Sequence, residues 1–336
     1  MSIIIGQKKL PELEYEKESY FEEDIFSNSR ILFGENTIYI NAKKKIESKS
    51  LGGAVPDGFF FDFSDKLDPQ FYIVEVELST HDFYGHIFPQ VTKFFAFFMN
   101  NKTQRALVDK LYNVIDTDAA LRNQFKKYLD KKEIYKFLSD LIKNSQNILL
   151  IIDGEKDELP EIMETYSDTW GKMVKVMEVQ KFSNGTDVAF TVDPDPEQLI
   201  EVPYQEPNDD EPKKYPEANH LKGVQENIKV AYRKIKTICK NISTDLKFCP
   251  TKYYISIKSK TNLAFMIFRK KKIRLVAMMP ESEIRKIVKK YPISSLSKSV
   301  QNFYNGPCAV IHILDNKHLN EIRTVIKRIL DKEKQK

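Results

Sequence analysis

The fold is decided by two stretches that follow each other closely: residues 52–63 read GGAVPDGFFFDF, and residues 71–98 read FYIVEVELSTHDFYGHIFPQVTKFFAFF. Within them, Phe59–Phe63 and Phe71–Leu78 are runs rich in aromatic and β-branched residues. A mostly polar turn, residues 64–70, separates the two runs. Strand-forming runs on either side of a short polar turn predict an antiparallel hairpin.

The predicted hairpin gathers acidic side chains on one face. A turn centred near Leu67 places Asp57 opposite Glu77 and Phe59 opposite Glu75. Side chains alternate between the two faces of a strand, so the odd-numbered Asp57, Glu75 and Glu77 project from the same face within diagonal reach. The sequence therefore predicts three carboxylates that converge on one spot.

Converging carboxylates in an apolar strand need a compensating positive charge. The residues that alternate with Glu75 and Glu77 are apolar, as expected of a buried central strand. A divalent cation is the simplest compensation, and Mg²⁺ prefers oxygen ligands, commonly one or two carboxylates with a substrate phosphate. We therefore expect Asp57, Glu75 and Glu77 to bind Mg²⁺, for which Mn²⁺ can substitute. The alternative is an amphipathic edge strand whose glutamates face water.

These residues also carry a family resemblance. Pro56-Asp57 followed by Glu75-Val76-Glu77 resembles the PD-(D/E)xK nuclease signature, in the variant where glutamate replaces the lysine. The surroundings are similar to the RecB-like and Mrr-like branches, because an acid on a helix precedes the signature and Gln90–Phe94 resembles their QxxxY element. The resemblance covers about residues 10 to 195 and implies a restriction-endonuclease-like mixed sheet flanked by helices. It also implies that Gln90 lies beside the metal.

The resemblance implies a function. We expect an Mg²⁺-dependent endonuclease that hydrolyses phosphodiester bonds in DNA, in restriction or anti-phage defence, with Asp57 and Glu75 as metal ligands. Glu77 would orient the attacking water or bind a second ion, and the identity of the general base stays open because the lysine is missing. The alternative is a catalytically inactive nuclease-fold protein that binds DNA or has a regulatory role. Cutting both strands would require a homodimer or two successive nicks.

Several flanking residues are further candidates. Residues 11–33 are predicted to form a helix that aims Glu22 at the strands, with Glu18 and Glu23 as rivals for the upstream acid. Three interpretations of the run Lys43-Lys44-Lys45 stay open. The run contacts phosphate, one of its lysines supplies the positive charge missing at Glu77, or it is a solvated surface. The alternatives for His86 are contact with the scissile phosphate, proton transfer, or a structural role. The sequence says less about the role of His81.

Charge is divided unevenly along the chain. From Lys213 to the end there are 29 Lys and Arg against 9 Asp and Glu, a net charge of +20, whereas the preceding residues carry −15. Residues 193–217 hold six prolines and many acids, which is typical of a linker. The predicted domains are therefore a nuclease-like domain at 1–192, a linker at 193–217 and a smaller basic α/β domain at 218–336. The basic domain resembles an uncharacterised domain found on restriction-type nucleases, and binds either nucleic acid or a protein partner.

The remaining patterns predict secondary structure around these features. Strand Thr37–Ile40 precedes the hairpin, and the segments that follow it are a helix from Pro89 to Met99, helices within 104–144, a strand at Ile148–Ile152, a helix at Glu158–Tyr166 and a hairpin around Asn184-Gly185. The basic domain is predicted to contain helices at 222–242, 281–290 and 317–332 and strands at 252–258, 262–268, 273–278 and 308–314.

Other classes of protein find no support in the sequence. No apolar run approaches the roughly 20 residues of a membrane span, and the first residues lack the pattern of a signal peptide, so we expect a cytoplasmic protein that does not contact membranes. The 3 cysteines are scattered and accompany no paired histidines, which argues against a zinc site. The sequence contains no glycine-rich phosphate-binding loop, so it does not indicate an ATPase.

Overall fold

The computed structural model describes residues 1–45, 55–65, 69–129, 133–166, 169–194, 216–251, 254–296 and 298–334. The chain divides into two compact units, Met1–Pro196 and Glu197–Lys336. Most of the segment predicted as a linker, residues 195–215, lies outside the described residues.

The first unit alternates strands and helices. Its elements are β1 (Ser2–Ile5), β2 (Lys8–Leu13), α1 (Glu18–Ser27), α2 (Ser29–Phe33), β3 (Thr37–Asn41), α3 (Ala42–Lys45), β4 (Gly58–Asp62), β5 (Gln70–Glu77), a π-helical turn (Phe83–Ile87), α4 (Phe88–Met99), α5 (Asn101–Thr117), α6 (Ala119–Lys126), α7 (Ile134–Asn144), β6 (Asn147–Ile152), α8 (Glu158–Thr165), α9 (Trp170–Met173), β7 (Val174–Ser183) and β8 (Val188–Asp193).

A mixed eight-stranded sheet forms the centre of this unit. The strand order is β1-β2-β7-β6-β5-β4-β3, and β8 pairs with β7. β3, β4 and β5 are antiparallel neighbours, whereas β6 runs parallel to both β5 and β7. A parallel pair needs a long crossover connection, and α4 to α7 provide it between β5 and β6. The predicted α/β class, with a mixed sheet flanked by helices, is confirmed.

The crossover helices bury the same face of the hairpin that carries the acids. Phe59, Phe61, Phe71 and Ile73 join one hydrophobic core with side chains of α4 to α7. Asp57, Glu75 and Glu77 have the same odd parity, and they continue this face where β4 begins and β5 ends. The apolar core therefore ends directly at a patch of carboxylates.

The hairpin is present as predicted, but its register differs by two residues. Gly58 pairs with Val74 and Phe59 with Ile73. Asp57 therefore lies opposite Glu75, and not opposite Glu77 as predicted. The predicted turn centre was one residue too late, and its residues 66–68 lie outside the described part of the chain. An error of two residues keeps every side chain on its face, which is why the three acids still converge.

Gly58 fixes the approach of β3 to the start of β4. A Cβ at this position would lie only 2.5 Å from Cζ of Tyr39, well inside van der Waals contact. The glycine therefore allows the Tyr39 ring to cover the backbone next to Asp57.

The N-terminal segment differs from its prediction. Residues 11–13 belong to β2, which pairs with β1 and β7, and the predicted single helix is divided at Asn28 into α1 and α2. The helical spacing of Tyr20, Phe21, Ile25 and Phe26 predicted the helical part, whereas the edge pairing of β2 depends on β7, which lies far away in the sequence.

Most other elements of this unit agree with the prediction. The strand before the hairpin, the buried strand β6 and the β7–β8 hairpin are confirmed, with Ser183 paired to Val188. Helix α4 begins at Phe88, with Pro89 in its first turn. Between β5 and α4, the π-helical turn Phe83–Ile87 was not predicted.

The second unit is built on an antiparallel sheet. Its elements are α10 (Glu217–His220), α11 (Glu226–Ile242), β9 (Lys247–Pro250), β10 (Ile255–Lys258), β11 (Asn262–Arg269), β12 (Lys272–Ala277), α12 (Glu281–Ile287), β13 (Ile293–Ser294), α13 (Lys298–Phe303), β14 (Ala309–Ile313) and α14 (Leu319–Lys334). The six strands are ordered β13-β14-β12-β11-β10-β9. α11 and α14 cover one face of the sheet. Strand β9 was not predicted, because KFCP is too short to give a periodic signal.

No helix among the described residues has both the length and the apolar character needed to cross a membrane.

Candidate metal centre

Three buried carboxylates lie where β4 begins and β5 ends. The exposed fractions are 3% for Asp57, 1% for Glu75 and 1% for Glu77. Oδ2 of Asp57 accepts a hydrogen bond of 2.7 Å from the backbone N–H of Val76. This bond ties the start of β4 to the end of β5, so the acids are held by strand pairing and not by a loop.

Each of these carboxylates has one buried oxygen without a hydrogen bond from any described residue: Oδ1 of Asp57, Oε2 of Glu75 and Oε1 of Glu77. Oδ1 of Asp57 and Oε1 of Glu77 do have ion-pair neighbours, Lys43 and His86. The Lys43 ammonium is in direct contact with Oδ1 of Asp57 and compensates it, whereas Oε1 of Glu77 lies 3.3 Å from Nε2 of His86. Buried oxygens of this kind are costly unless a cation compensates them, and a metal ion is one such cation.

Helix α1 adds two acids to the centre. Glu18 and Glu22 are one helical turn apart and share a side of the helix, next to the buried Phe21 and Ile25. Ligand atoms of Glu18, Glu22 and Asp57 all lie within 4.8 Å of one another. The prediction chose Glu22 and ranked Glu18 as a rival, but the structure brings both to the site.

Glu77 belongs to a second group that contains two histidines. Its Oε2 lies 2.8 Å from Nδ1 of His81, and its Oε1 lies 3.3 Å from Nε2 of His86. Oε2 of Glu18 is 3.4 Å from the same His81 nitrogen. One ligand atom from each of Glu18, Glu77, His81 and His86 fits within 4.8 Å, so Glu18 takes part in both groups.

The loop that carries the histidines is held by polar contacts. Lys156 donates to the backbone oxygens of Ser79 (2.8 Å) and His81 (2.6 Å). Asp153 accepts from the backbone N–H of Ser79 at 2.6 Å. Asp82 caps the π-helical turn by accepting from the N–H of Gly85. Both imidazoles are therefore positioned from several sides.

Glu75 has a different partner. Gln90 of α4 donates a hydrogen bond from its Nε2 to Oε1 of Glu75, and this contact places Gln90 beside the acids; that Gln90 lies beside a metal ion stays a prediction. Glu75 does not belong to either of the two groups whose ligand atoms cluster within 4.8 Å. The predicted ligands Asp57, Glu75 and Glu77 are thus neighbours in space, but each has its own set of contacts.

Lys43 brings a positive charge to the acids. Its ammonium contacts Oδ1 of Asp57 and lies 3.0 Å from Oε1 of Glu22 and 3.8 Å from Oε1 of Glu18. Of the three interpretations of the lysine run, Lys43 agrees with the one in which a lysine supplies charge to the site. The side chains of Lys44 and Lys45 lie outside the described residues.

The surroundings favour protonated carboxyls in the absence of a metal ion. Burial is the main cause that raises the pKa of Asp57 to about 7, with Glu22 adding to it, while Lys43 and the Val76 N–H oppose the change. Burial, and then Asp57 and Glu77, hold the pKa of Glu75 well above its usual range. Burial and Glu77 raise the pKa of Glu18 to about 7. These groups repel one another through low-dielectric surroundings.

Burial lowers the pKa of Lys43, but Asp57 and Glu22 outweigh it and hold that pKa above its ordinary value. The lysine is therefore charged at neutral pH.

Sequence reasoning did not bring Glu18 and the histidines together as one group. A signal was available, because His81 and His86 follow the acidic strand by four and nine residues. The sequence pattern did not predict the π-helical turn, which places His86 next to Glu77.

Comparison with known proteins gives one match. Residues 217–328, which make up most of the second unit, match the model of a domain of unknown function, DUF5655. The chain has no match among curated proteins and none among solved structures.

Proposed function

We propose that the chain is a metal-dependent nuclease of the PD-(D/E)xK kind, which hydrolyses phosphodiester bonds in DNA with Mg²⁺ as its ion. The observation that carries this proposal is the set of buried carboxylates at Asp57, Glu75 and Glu77, in which Oε2 of Glu75 and Oε1 of Glu77 have no hydrogen bond from a described residue. Such oxygens suit a hard divalent cation, which takes carboxylate ligands and keeps positions for water and phosphate.

The order of parts along the first unit supports a restriction-endonuclease-like fold. Helix α1 brings Glu18 and Glu22, the β4–β5 hairpin brings the buried acids, and α4 brings Gln90. This is the order of parts that the resemblance implies. A mixed sheet flanked by helices is compatible with it.

The side chains have separate tasks in this proposal. Asp57 would hold the ion with Glu22 and Glu75, and Gln90 orients Glu75. When bound, a divalent ion polarises the phosphoryl oxygen and lowers the pKa of an attacking water. Glu77 orients that water or holds a second ion.

Lys43 supplies the positive charge that a lysine at position 77 would otherwise bring. It reaches the acids from α3, directly after β3. In the absence of substrate the ammonium pairs with Asp57 and Glu22, and a phosphate is the natural competitor for that pairing.

The basic second unit supports a nucleic-acid substrate. With +20 on residues 213–336, it attracts polyanions and provides phosphate contacts that do not depend on base sequence. We propose that it anchors DNA for the first unit, and that the pair serves restriction or anti-phage defence in the cytoplasm.

Nicking of supercoiled plasmid by the untagged full-length protein tests this function. Mg²⁺ should support nicking, EDTA should stop it, and Asp57→Ala and Glu75→Ala should each abolish it. Glu77→Ala should reduce it less if this residue only orients water. The matched control is Asp140→Ala, which removes an exposed carboxylate of α7. Nicking by Asp57→Ala at saturating Mg²⁺ would contradict the assigned site.

A second candidate is an inactive nuclease fold that binds DNA without cutting it. The observation in its favour is Lys43, because its ammonium already neutralises Asp57 without a metal ion. In that case duplex binding would persist in EDTA, and no nicking would occur with Mg²⁺ or Mn²⁺ at any concentration.

A further inference from the structure

We propose that Glu18, Glu77, His81 and His86 form a second cation site, which takes a divalent transition-metal ion and differs chemically from the all-oxygen site at Asp57. The inference concerns ion binding and holds whether or not the chain cuts DNA.

The ligand atoms have the spacing of a coordination shell. One ligand atom from each of the four side chains lies within 4.8 Å of the others. Nδ1 of His81 is 2.8 Å from Oε2 of Glu77 and 3.4 Å from Oε2 of Glu18, and Nε2 of His86 is 3.3 Å from the other Glu77 oxygen, Oε1. Ligands about 2.1 Å from a tetrahedral ion lie roughly 3.4 Å from each other. The separations are therefore compatible with one ion held by all four side chains.

A buried, unsatisfied oxygen points to a ligand at this position. Glu77 is 1% exposed, and its Oε1 has no hydrogen bond from the described residues although His86 Nε2 lies nearby. The two imidazole rings, 5.0 Å apart, each direct a nitrogen to this carboxylate. A carboxylate that is buried between two nitrogen donors and still incompletely hydrogen-bonded is the arrangement that a cation completes.

The donor atoms select the kind of ion. Two imidazole nitrogens with two carboxylates suit Mn²⁺, Co²⁺, Ni²⁺ or Zn²⁺, whereas Mg²⁺ is best held by oxygen ligands alone. The group of Glu18, Glu22 and Asp57 offers only oxygens. The two neighbouring groups share Glu18, but they differ in their donor atoms. They should therefore prefer different ions.

The site is both rigid and accessible. Lys156 and Asp153 hold the backbone on either side of Thr80. The histidine side chains are partly exposed, 31% for His81 and 48% for His86. A preorganised set of donors with an open side lets an ion enter without unfolding the loop.

Titration of Co²⁺ into chelator-stripped, untagged full-length protein tests the site, with visible absorption as the readout. We expect d–d bands that saturate, and their persistence in millimolar Mg²⁺. The double variant His81→Gln and His86→Gln should weaken Co²⁺ affinity at least tenfold, and His86→Gln alone should weaken it less. The matched control is His318→Gln, an exposed histidine of the second unit, which should titrate like the wild type.

The inference is overturned if wild type and the double variant bind Co²⁺ equally, or if millimolar Mg²⁺ displaces the ion completely. The half-exposed position of His86 makes its single variant a safe second measurement should the double variant unfold. Absence of nicking together with an intact Co²⁺ site would overturn only the proposed nuclease function. Normal nicking without a histidine-dependent Co²⁺ site would overturn only this inference.

Discussion

The ammonium of Lys43 contacts Oδ1 of Asp57, a carboxylate that is 3% exposed and begins the acidic face of the hairpin. The same ammonium lies 3.0 Å from Oε1 of Glu22. A lysine from a neighbouring segment thus compensates acids on two different elements. Substitution of Lys43 should therefore distinguish the effect of this residue on metal binding from its effect on phosphodiester cleavage.

Lys43→Met should lower plasmid nicking about 100-fold while strengthening metal binding. The cleavage loss follows because a positioned positive charge near a reacting phosphate contributes on the order of 10²-fold or more. Binding strengthens because no ammonium competes for Asp57. Nicking rates and Mn²⁺ affinity by electron paramagnetic resonance measure the two effects. Lys93→Met, which removes an exposed lysine of α4, should change neither; unchanged nicking in Lys43→Met would refute the role of the lysine.

Asp57→Asn should stabilise the metal-free protein above neutral pH. The folded-state pKa of Asp57 is raised to about 7, chiefly by burial, so between about pH 4 and pH 7 the folded state binds more protons than the unfolded state. The contribution of Asp57 to stability therefore falls as pH rises through this window, by on the order of a few kcal/mol. Asparagine carries no charge and removes this loss.

Urea unfolding at pH 5, 6, 7 and 8 in EDTA measures the effect. The difference in unfolding free energy between Asp57→Asn and wild type should grow in favour of the variant with rising pH. Asp140→Asn, at an exposed position, is the control. A difference that stays constant from pH 5 to pH 8 would show that Asp57 is not the titrating group.

Gln90→Ala should raise the Mg²⁺ concentration needed for half-maximal nicking, by about tenfold. Gln90 donates a hydrogen bond to Oε1 of Glu75, and a donor to a carboxylate favours its charged form. Without it, the pKa of Glu75, already raised by burial, rises further and fewer molecules offer an ionised ligand. The defect should diminish as pH rises from 7 to 9. Gln124→Ala on α6 serves as the matched control, and equal Mg²⁺ requirements in both variants would contradict the assignment.

Neutralising Lys270 and Lys271 together should weaken DNA binding and flatten its salt dependence. The two lysines are exposed at the tight turn between β11 and β12. Each phosphate contact that is lost should reduce the log–log slope by roughly 0.9. Titration of a fluorescent duplex at several salt concentrations with Lys270→Gln/Lys271→Gln measures this effect. Lys93→Gln/Lys110→Gln, in the first unit, changes the total charge equally; identical slopes in the two double variants would favour a protein partner for the basic unit.

The sequence by itself determined the hairpin and the acids on it. Aromatic and β-branched runs around a polar turn specify paired strands, and the period of two fixed Asp57, Glu75 and Glu77 to one face even though the predicted register was two residues off. The buried strand β6 and the β7–β8 hairpin were equally local signals. These features could be predicted because their physical causes, side-chain alternation and turn chemistry, act over a few residues.

Only the tertiary structure decided which side chains meet at the acids. Glu18 and Glu22 reach Asp57 because α1 packs beside the hairpin, and Lys43 reaches it because α3 follows β3 at the sheet edge. His86 returns to Glu77 through a π-helical turn. Contacts between separate elements depend on packing and on the sheet order, which no local pattern encodes, so the full set of groups around the carboxylates could be read only from the folded chain.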